Sequence, residues 1–212
     1  MVNEQMINDS LSFADKCNSI FSQAVADYHK NDNVDQPIDN PFISQSIEHL
    51  LYLKCWIDTV QWHLEDIIRD PSIDPVEALV IKRRIDCSNQ ERTDIVERID
   101  SFFYEQYCLV QPQPDARINT ESPAWAVDRL SILNVKIYHM QVEVNRKNIS
   151  AEQHTSVIKK LAILLEQQRD LTISINQLLD DYASGRRIMK VYRQMKMYND
   201  PNLNPVLYQQ QK

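Results

Sequence analysis

The chain has 212 residues, 43% of them hydrophobic and 25% charged, with a net charge of −7. That balance suits one folded domain with a sizeable core and excludes a disordered chain, while the negative charge argues against general affinity for nucleic acid or anionic membrane. The single glycine, Gly185, excludes folds built on glycine-rich phosphate loops, and nine clustered prolines leave long intervals open to helix.

A first amphipathic helix is predicted from Ile7, Leu11, Ala14, Cys17, Phe21, Ala24 and Tyr28, which step by three and four. "NDNVDQPIDNPF" then reads as a loop. The second helix has the apolar stripe Ile43, Ile47, Leu50, Leu53, Ile57, Val60, Leu64 and Ile67. Aromatic residues run along one flank, and Lys54, Asp58, Gln61 and Glu65 along the other. With more than half its circumference apolar or aromatic, it belongs near the centre of a bundle. Asp74, Pro75 and Glu77 supply the chemistry of a helix start, and the third helix runs to about Tyr107. After the irregular "QPQPDARINTE", Ser122-Pro123 opens a fourth helix through Val127, Leu130, Asn134, Ile137 and Val144. Ser150 caps a fifth toward Gln153. It runs through Val157, Leu161, Leu164, Gln168, Leu171, Ile175, Leu178 and Tyr182, and Gly185 closes it in the left-handed conformation. The expected fold is an all-α, single-domain bundle of about five long helices, mainly up-and-down, over residues 1–185. A basic C-terminal tail, 186–212, follows.

The turn from Asp70 to Asp74 is short enough to make helices two and three antiparallel neighbours. Counting outward from residue 72 sets Gln61 opposite Arg83, Asp58 opposite Asp86 and Lys54 opposite Gln90. The third helix's stripe, Ile81, Ile85, Ile95, Ile99 and Phe102, is interrupted by Ser88 and Arg92, so two turns of this seam are polar. Buried charges persist only when paired and hydrogen-bonded. Two readings stand: a closed network of ion pairs that holds helix register, or a small pocket. In the pocket Glu65, Asp66 and Asp86 would be the catalytic carboxylates, and Asp58, Gln61, Arg69, Lys82, Arg83, Asn89 and Arg92 would bind a small anionic ligand. A pocket predicts an open cavity with perturbed carboxylates; a register device predicts fully paired side chains.

Other signals point away from familiar chemistries. His63 lies beside Glu65 and Asp66, but the Glu-x-x-His spacing of carboxylate-bridged iron bundles is absent, and His49, His139 and His154 stand alone on helical faces. No metal site and no cofactor are expected. Asp94 and Glu97 approach the spacing of a magnesium pair, but Arg98 beside them suits a solvated face. Cys17, Cys55, Cys87 and Cys108 show no Cys-x-x-Cys pair and read as free thiols, in keeping with a reducing cytoplasm. No membrane-spanning segment is expected. Five basic residues and no acid lie between Arg186 and Tyr198. This tail is expected to pack on the acidic body, and is the one place where nucleic acid would bind by charge and stacking.

The phrases "LKCWIDTVQWHLEDIIRDP", "IKRRIDCSNQERTDIVERID", "PDARINTESPAWAVDRLSIL" and "MKVYRQMKMYNDPNLNPVLY" resemble an uncharacterised helical bacterial family, number four-two-five-four in the domain-of-unknown-function series. The resemblance covers nearly the whole chain. It implies that the family's Glu-Asp-x-x-Arg and Lys-Arg-x-Ile-Asp-x-x-Asn-x-x-Arg phrases correspond to Glu65 through Arg69 and Lys82 through Arg92. It also implies a setting beside sugar transferases of cell-surface glycan synthesis. Ile68 stands where the first phrase takes a small residue, which would narrow a cleft at that end. No nucleophile, phosphate loop or metal set emerges, so the expected function is a non-catalytic interaction or accessory module. Its partner would be a protein, a small anionic ligand or a second copy of the chain. The alternative is an enzyme acting on a small phosphorylated or dicarboxylate substrate.

Overall fold

The computed structural model describes residues 11–197 and 200–209; Ile7 of the first stripe and Tyr198 of the basic tail lie outside them. The described residues form α1 (Phe13–Tyr28), α2 (Ile47–Ile68), α3 (Pro75–Tyr107), α4 (Pro123–Val144), α5 (Ala151–Ala183) and a single turn, α6 (Pro205–Tyr208). They contain no strand, only an isolated parallel bridge between Arg117 and Arg187.

Capping chemistry sets most helix starts. Asp74 accepts from the amides of Val76 and Glu77, with Pro75 in the first turn. Ser150 and Gln153 form a reciprocal capping box. Ser122 precedes α4 but does not cap it, because its hydroxyl donates to Asp100 Oδ2 at 2.8 Å and ties α4 to α3. The predicted start of the second helix needs correction. Gln45 has φ +73°, which breaks the helical path, and Ser46 Oγ accepts from His49 N, so α2 begins at Ile47. Ile43, assigned to the core stripe, is therefore 84% exposed.

Gly185 ends α5 with φ +73°, and Arg186 N donates to Asp181 O across it. A Cβ here would lie 2.5 Å from the carbonyl oxygen of Gln111, so glycine also permits the loop before α4 to cross against the helix end.

Helix α2 packs against α1, α3 and α4, while α4 touches α1, α2, α3 and α5. Phe21, Tyr28, Leu51, Tyr52, Val96, Phe103 and Leu130 fill the core between them. One polar layer inside this core is closed. Asn18 donates to Thr172 Oγ1 (2.8 Å), Asn134 donates to Asn18 Oδ1 (2.9 Å), and Gln168 donates to both Asn134 Oδ1 (3.0 Å) and Asn18 Oδ1 (3.2 Å). These partnered amides fix the register of α1, α4 and α5.

The basic segment lies against the bundle. Arg193 pairs with Glu97 at 2.9 Å and donates to Ser101, while Lys196 donates to Thr93 Oγ1 at 2.7 Å and to Asn89 O. Arg186 and Arg187 both reach Asp181.

Candidate functional site

The α2–α3 seam is polar in its middle, but its register differs from simple counting. Gln61 Nε2 donates to Asn89 Oδ1 at 3.0 Å, which puts the midpoint of the pairing near residue 75 instead of 72. Equal distance from a turn estimates height along a helix and says nothing of the direction a side chain takes around it. Residues 83 and 89 are six apart and point in directions about 120° apart around the helix. The pairings of Gln61 with Arg83, Asp58 with Asp86 and Lys54 with Gln90 therefore do not form. Lys82 and Asp86 pair with each other on the exposed face of α3. Arg83, also exposed, borders a separate open cleft with Arg84, Cys87 and Ser88.

The polar centre is instead shared by α2, α3 and α4. Lys54 is fully buried. Its Nζ pairs with Asp58 on its own helix and lies 3.0 Å from Asp128 Oδ1 on α4. Ser131 Oγ donates to Asp58 Oδ2 at 2.5 Å, and Arg92 Nε from α3 lies 3.9 Å from Asp128 Oδ1. Two buried carboxylates thus share one ammonium and one guanidinium, a set whose formal charges balance. Burial pushes the Asp58 carboxyl up from its ordinary value; Lys54 opposes the shift and Asp128 adds to it.

Beside this set a cavity of about 310 Å³ opens. Asp58, Gln61, Glu65, Asp66, Arg69 and Arg92 supply its polar wall, and Trp62, Ile132 and Val135 its apolar one. Six of the ten residues singled out from the sequence meet here. Asn89 is joined to them through Gln61, and Lys82, Arg83 and Asp86 are not. Arg69 lies at the exposed rim, 3.2 Å from Glu65 Oε2. Three cavity atoms are buried without a hydrogen-bond partner: Asp58 Oδ1, Gln61 Oε1 and Arg92 Nε. Two are acceptors and one is a donor, and each costs free energy as it stands.

Sequence reasoning missed Asp128 and Ser131 because both come from α4, and no local spacing links them to α2. Lys54 was visible only as a flank residue set opposite Gln90. The histidines differ from expectation as well. His139, read as standing alone, and His63, read beside Glu65 and Asp66 without a metal-site spacing, lie together with His29, with a ring nitrogen from each within 4.8 Å of the others.

A family model described as "Protein of unknown function (DUF4254)" matches residues 48–191, a span that contains the cavity. Neither the curated proteins nor the solved structures contain a match.

Proposed function

The chain belongs to the DUF4254 family of proteins of unknown function, and on that premise we propose a non-catalytic accessory module that captures a compact, hydroxyl-rich small molecule in the α2–α3–α4 cavity. The observation that carries this reading is the contrast between two polar layers. The α1–α4–α5 layer is a closed chain of partnered amides. The α2–α3–α4 layer has a cavity, and three of the residues that line it carry a buried polar atom without a hydrogen-bond partner. A register device needs the first arrangement and gains nothing from the second.

The chemistry of the orphans selects the ligand class. A hydroxyl group both donates and accepts, so a sugar-type molecule satisfies Asp58 Oδ1 and Gln61 Oε1 as a donor and Arg92 Nε as an acceptor. Its carbon faces suit Trp62, Ile132 and Val135. Three carboxylates against two guanidiniums disfavour a bare anion. Such a ligand accords with the setting in glycan synthesis that the resemblance implies. A cytoplasmic location accords with the exposed free thiols Cys87 and Cys108. No helix among the described residues is long and apolar enough to cross a membrane.

A second reading, an enzyme for a small phosphorylated or dicarboxylate substrate, is favoured by one observation. Arg92 inside and Arg69 at the rim flank a carboxyl, Asp58, that burial inclines to hold its proton.

Thermal shift against free monosaccharides and sugar phosphates tests both. At 100 times its Kd a ligand adds about 2.7 kcal/mol, a rise of roughly 5–10 °C for a chain of this size. The rise is expected in wild type and Arg83→Ala and not in Gln61→Leu, and mass spectrometry is expected to recover the ligand unchanged. Conversion of a sugar phosphate would favour the enzyme. No shift by any compound would overturn the capture of sugars.

A further inference from the structure

His29 ends α1, His63 lies on α2 and His139 on α4, so three helices bring one imidazole each to a common point. His29 Nε2 and His63 Nε2 are 3.2 Å apart. Zinc–imidazole bonds of 2.0–2.1 Å at a tetrahedral angle place ligand nitrogens about 3.3 Å from one another. That pair therefore has ligand spacing already, and a ring nitrogen of His139 lies within 4.8 Å of both.

Ring orientation is fixed on all three. His29 Nδ1 lies 2.7 Å from the carbonyl oxygen of Val25, an acceptor only, so the proton sits on Nδ1 and the Nε2 lone pair faces inward. A backbone carbonyl holding the far nitrogen is the usual outer support of a metal-bound histidine. His139 Nε2 is buried with no hydrogen-bond partner. Each imidazole is stacked on a larger ring: His29 on Tyr138 at 4.1 Å, His63 on Tyr28 at 5.1 Å and His139 on Trp62 at 4.7 Å. Asp32 Oδ1 approaches His63 Nε2 to 3.6 Å from the loop after α1, where the backbone of Asp32 takes φ +48°.

We propose that His29, His63 and His139, with Asp32 as a fourth ligand, bind a divalent first-row transition metal ion of the zinc class. Three borderline nitrogen donors and one carboxylate suit Zn2+ and its neighbours and not Mg2+, which takes oxygen ligands. Burial holds the His63 and His139 rings below their ordinary pKa. The site is separate from the sugar cavity and does not depend on it, although Trp62 borders both.

The test uses the full chain freed of metal with a chelator and then titrated with Co2+ or Zn2+ alone. One equivalent of Co2+ is expected to produce the visible absorption bands of a tetrahedral ion. Zn2+ is expected to displace it and to raise the melting temperature, and Mg2+ to do neither. His63→Gln and His29→Gln should each weaken binding at least about tenfold, by analogy with losses in metal sites. Should those variants misfold, the exposed Asp32→Asn keeps the question answerable, because it leaves the core intact and is expected to weaken binding as well. Absence of bands and of any Zn2+ shift in folded wild type would overturn the proposal. So would tight binding retained in folded His63→Gln, which would place the ion elsewhere.

Discussion

Lys54 offers the sharpest perturbation. Replacing it with Met keeps most of the apolar stem and deletes the ammonium that Asp58 and Asp128 share. Its side chain has no solvent exposure, and those of the carboxylates are 4% and 7% exposed, so solvent replaces the lost partner poorly. Removing one member of a buried pair costs about 3–5 kcal/mol, chiefly from the uncompensated charge left behind. For a chain of this size that lowers the melting temperature by roughly 6–20 °C. The loss should depend on pH. Burial raises the folded pKa of Asp58 above its unfolded value, so the folded carboxyl retains a proton that the unfolded one releases. Stability therefore declines as pH climbs above the unfolded value, and without Lys54 the decline steepens. Chemical denaturation from pH 4 to pH 8 should show Lys54→Met close to wild type at the acid end and diverging from it as pH rises. Lys54→Met/Asp58→Asn should recover about half of the loss or more, since Arg92 still faces Asp128. A Lys54→Met protein as stable as wild type at neutral pH would refute the claim that these charges are buried together.

Gly185→Ala is expected to destabilise the chain by about 1–3 kcal/mol in a denaturant titration, since the methyl group meets Gln111 O at 2.5 Å and the backbone has positive φ; a neutral result would mean the loop does not rest on that helix end. Thiol titration under native conditions should modify Cys87 and Cys108 and spare Cys17 and Cys55, the latter with its thiol pushed up to about 12 by burial. All four should react after unfolding, and rapid native modification of Cys55 would contradict its placement behind α1.

Much of the architecture was legible because it is written locally. Asp74-Pro75, Ser150 with Gln153, and Gly185 each act within a few residues of themselves, and the three-four periodicity needs no partner to be seen. Asn134 and Gln168, conspicuous in otherwise apolar stripes, became the hydrogen-bonded layer such positions imply. The polar seam was legible in part for the same reason: Asp58, Gln61 and Glu65 repeat on one face of α2, and Arg92 interrupts the apolar stripe of α3. What lay beyond reach was azimuth and the third helix. Asp86 looked equivalent to Asp58 by distance from the turn, yet points to solvent beside Lys82. Asp128 and His139 sit on α4, more than 70 residues from Lys54 and His63, which they face on α2, and one sequence carries no sign of that proximity. Ile43 failed differently, since a helical pattern can run past the point at which a serine cap and a left-handed residue stop the helix.

The stretch of α2 from Gln61 to Glu65 is a party wall. Gln61 and Glu65 turn toward one chamber, His63 toward the cluster of imidazoles, and the indole of Trp62 belongs to both. Inserting or deleting a single residue just upstream would swing the whole stretch by about 100° and strip both linings in one event. Lineages carrying this chain can therefore vary the two chambers independently by exchanging side chains, but the length of α2 is common property, and neither chamber can change it alone.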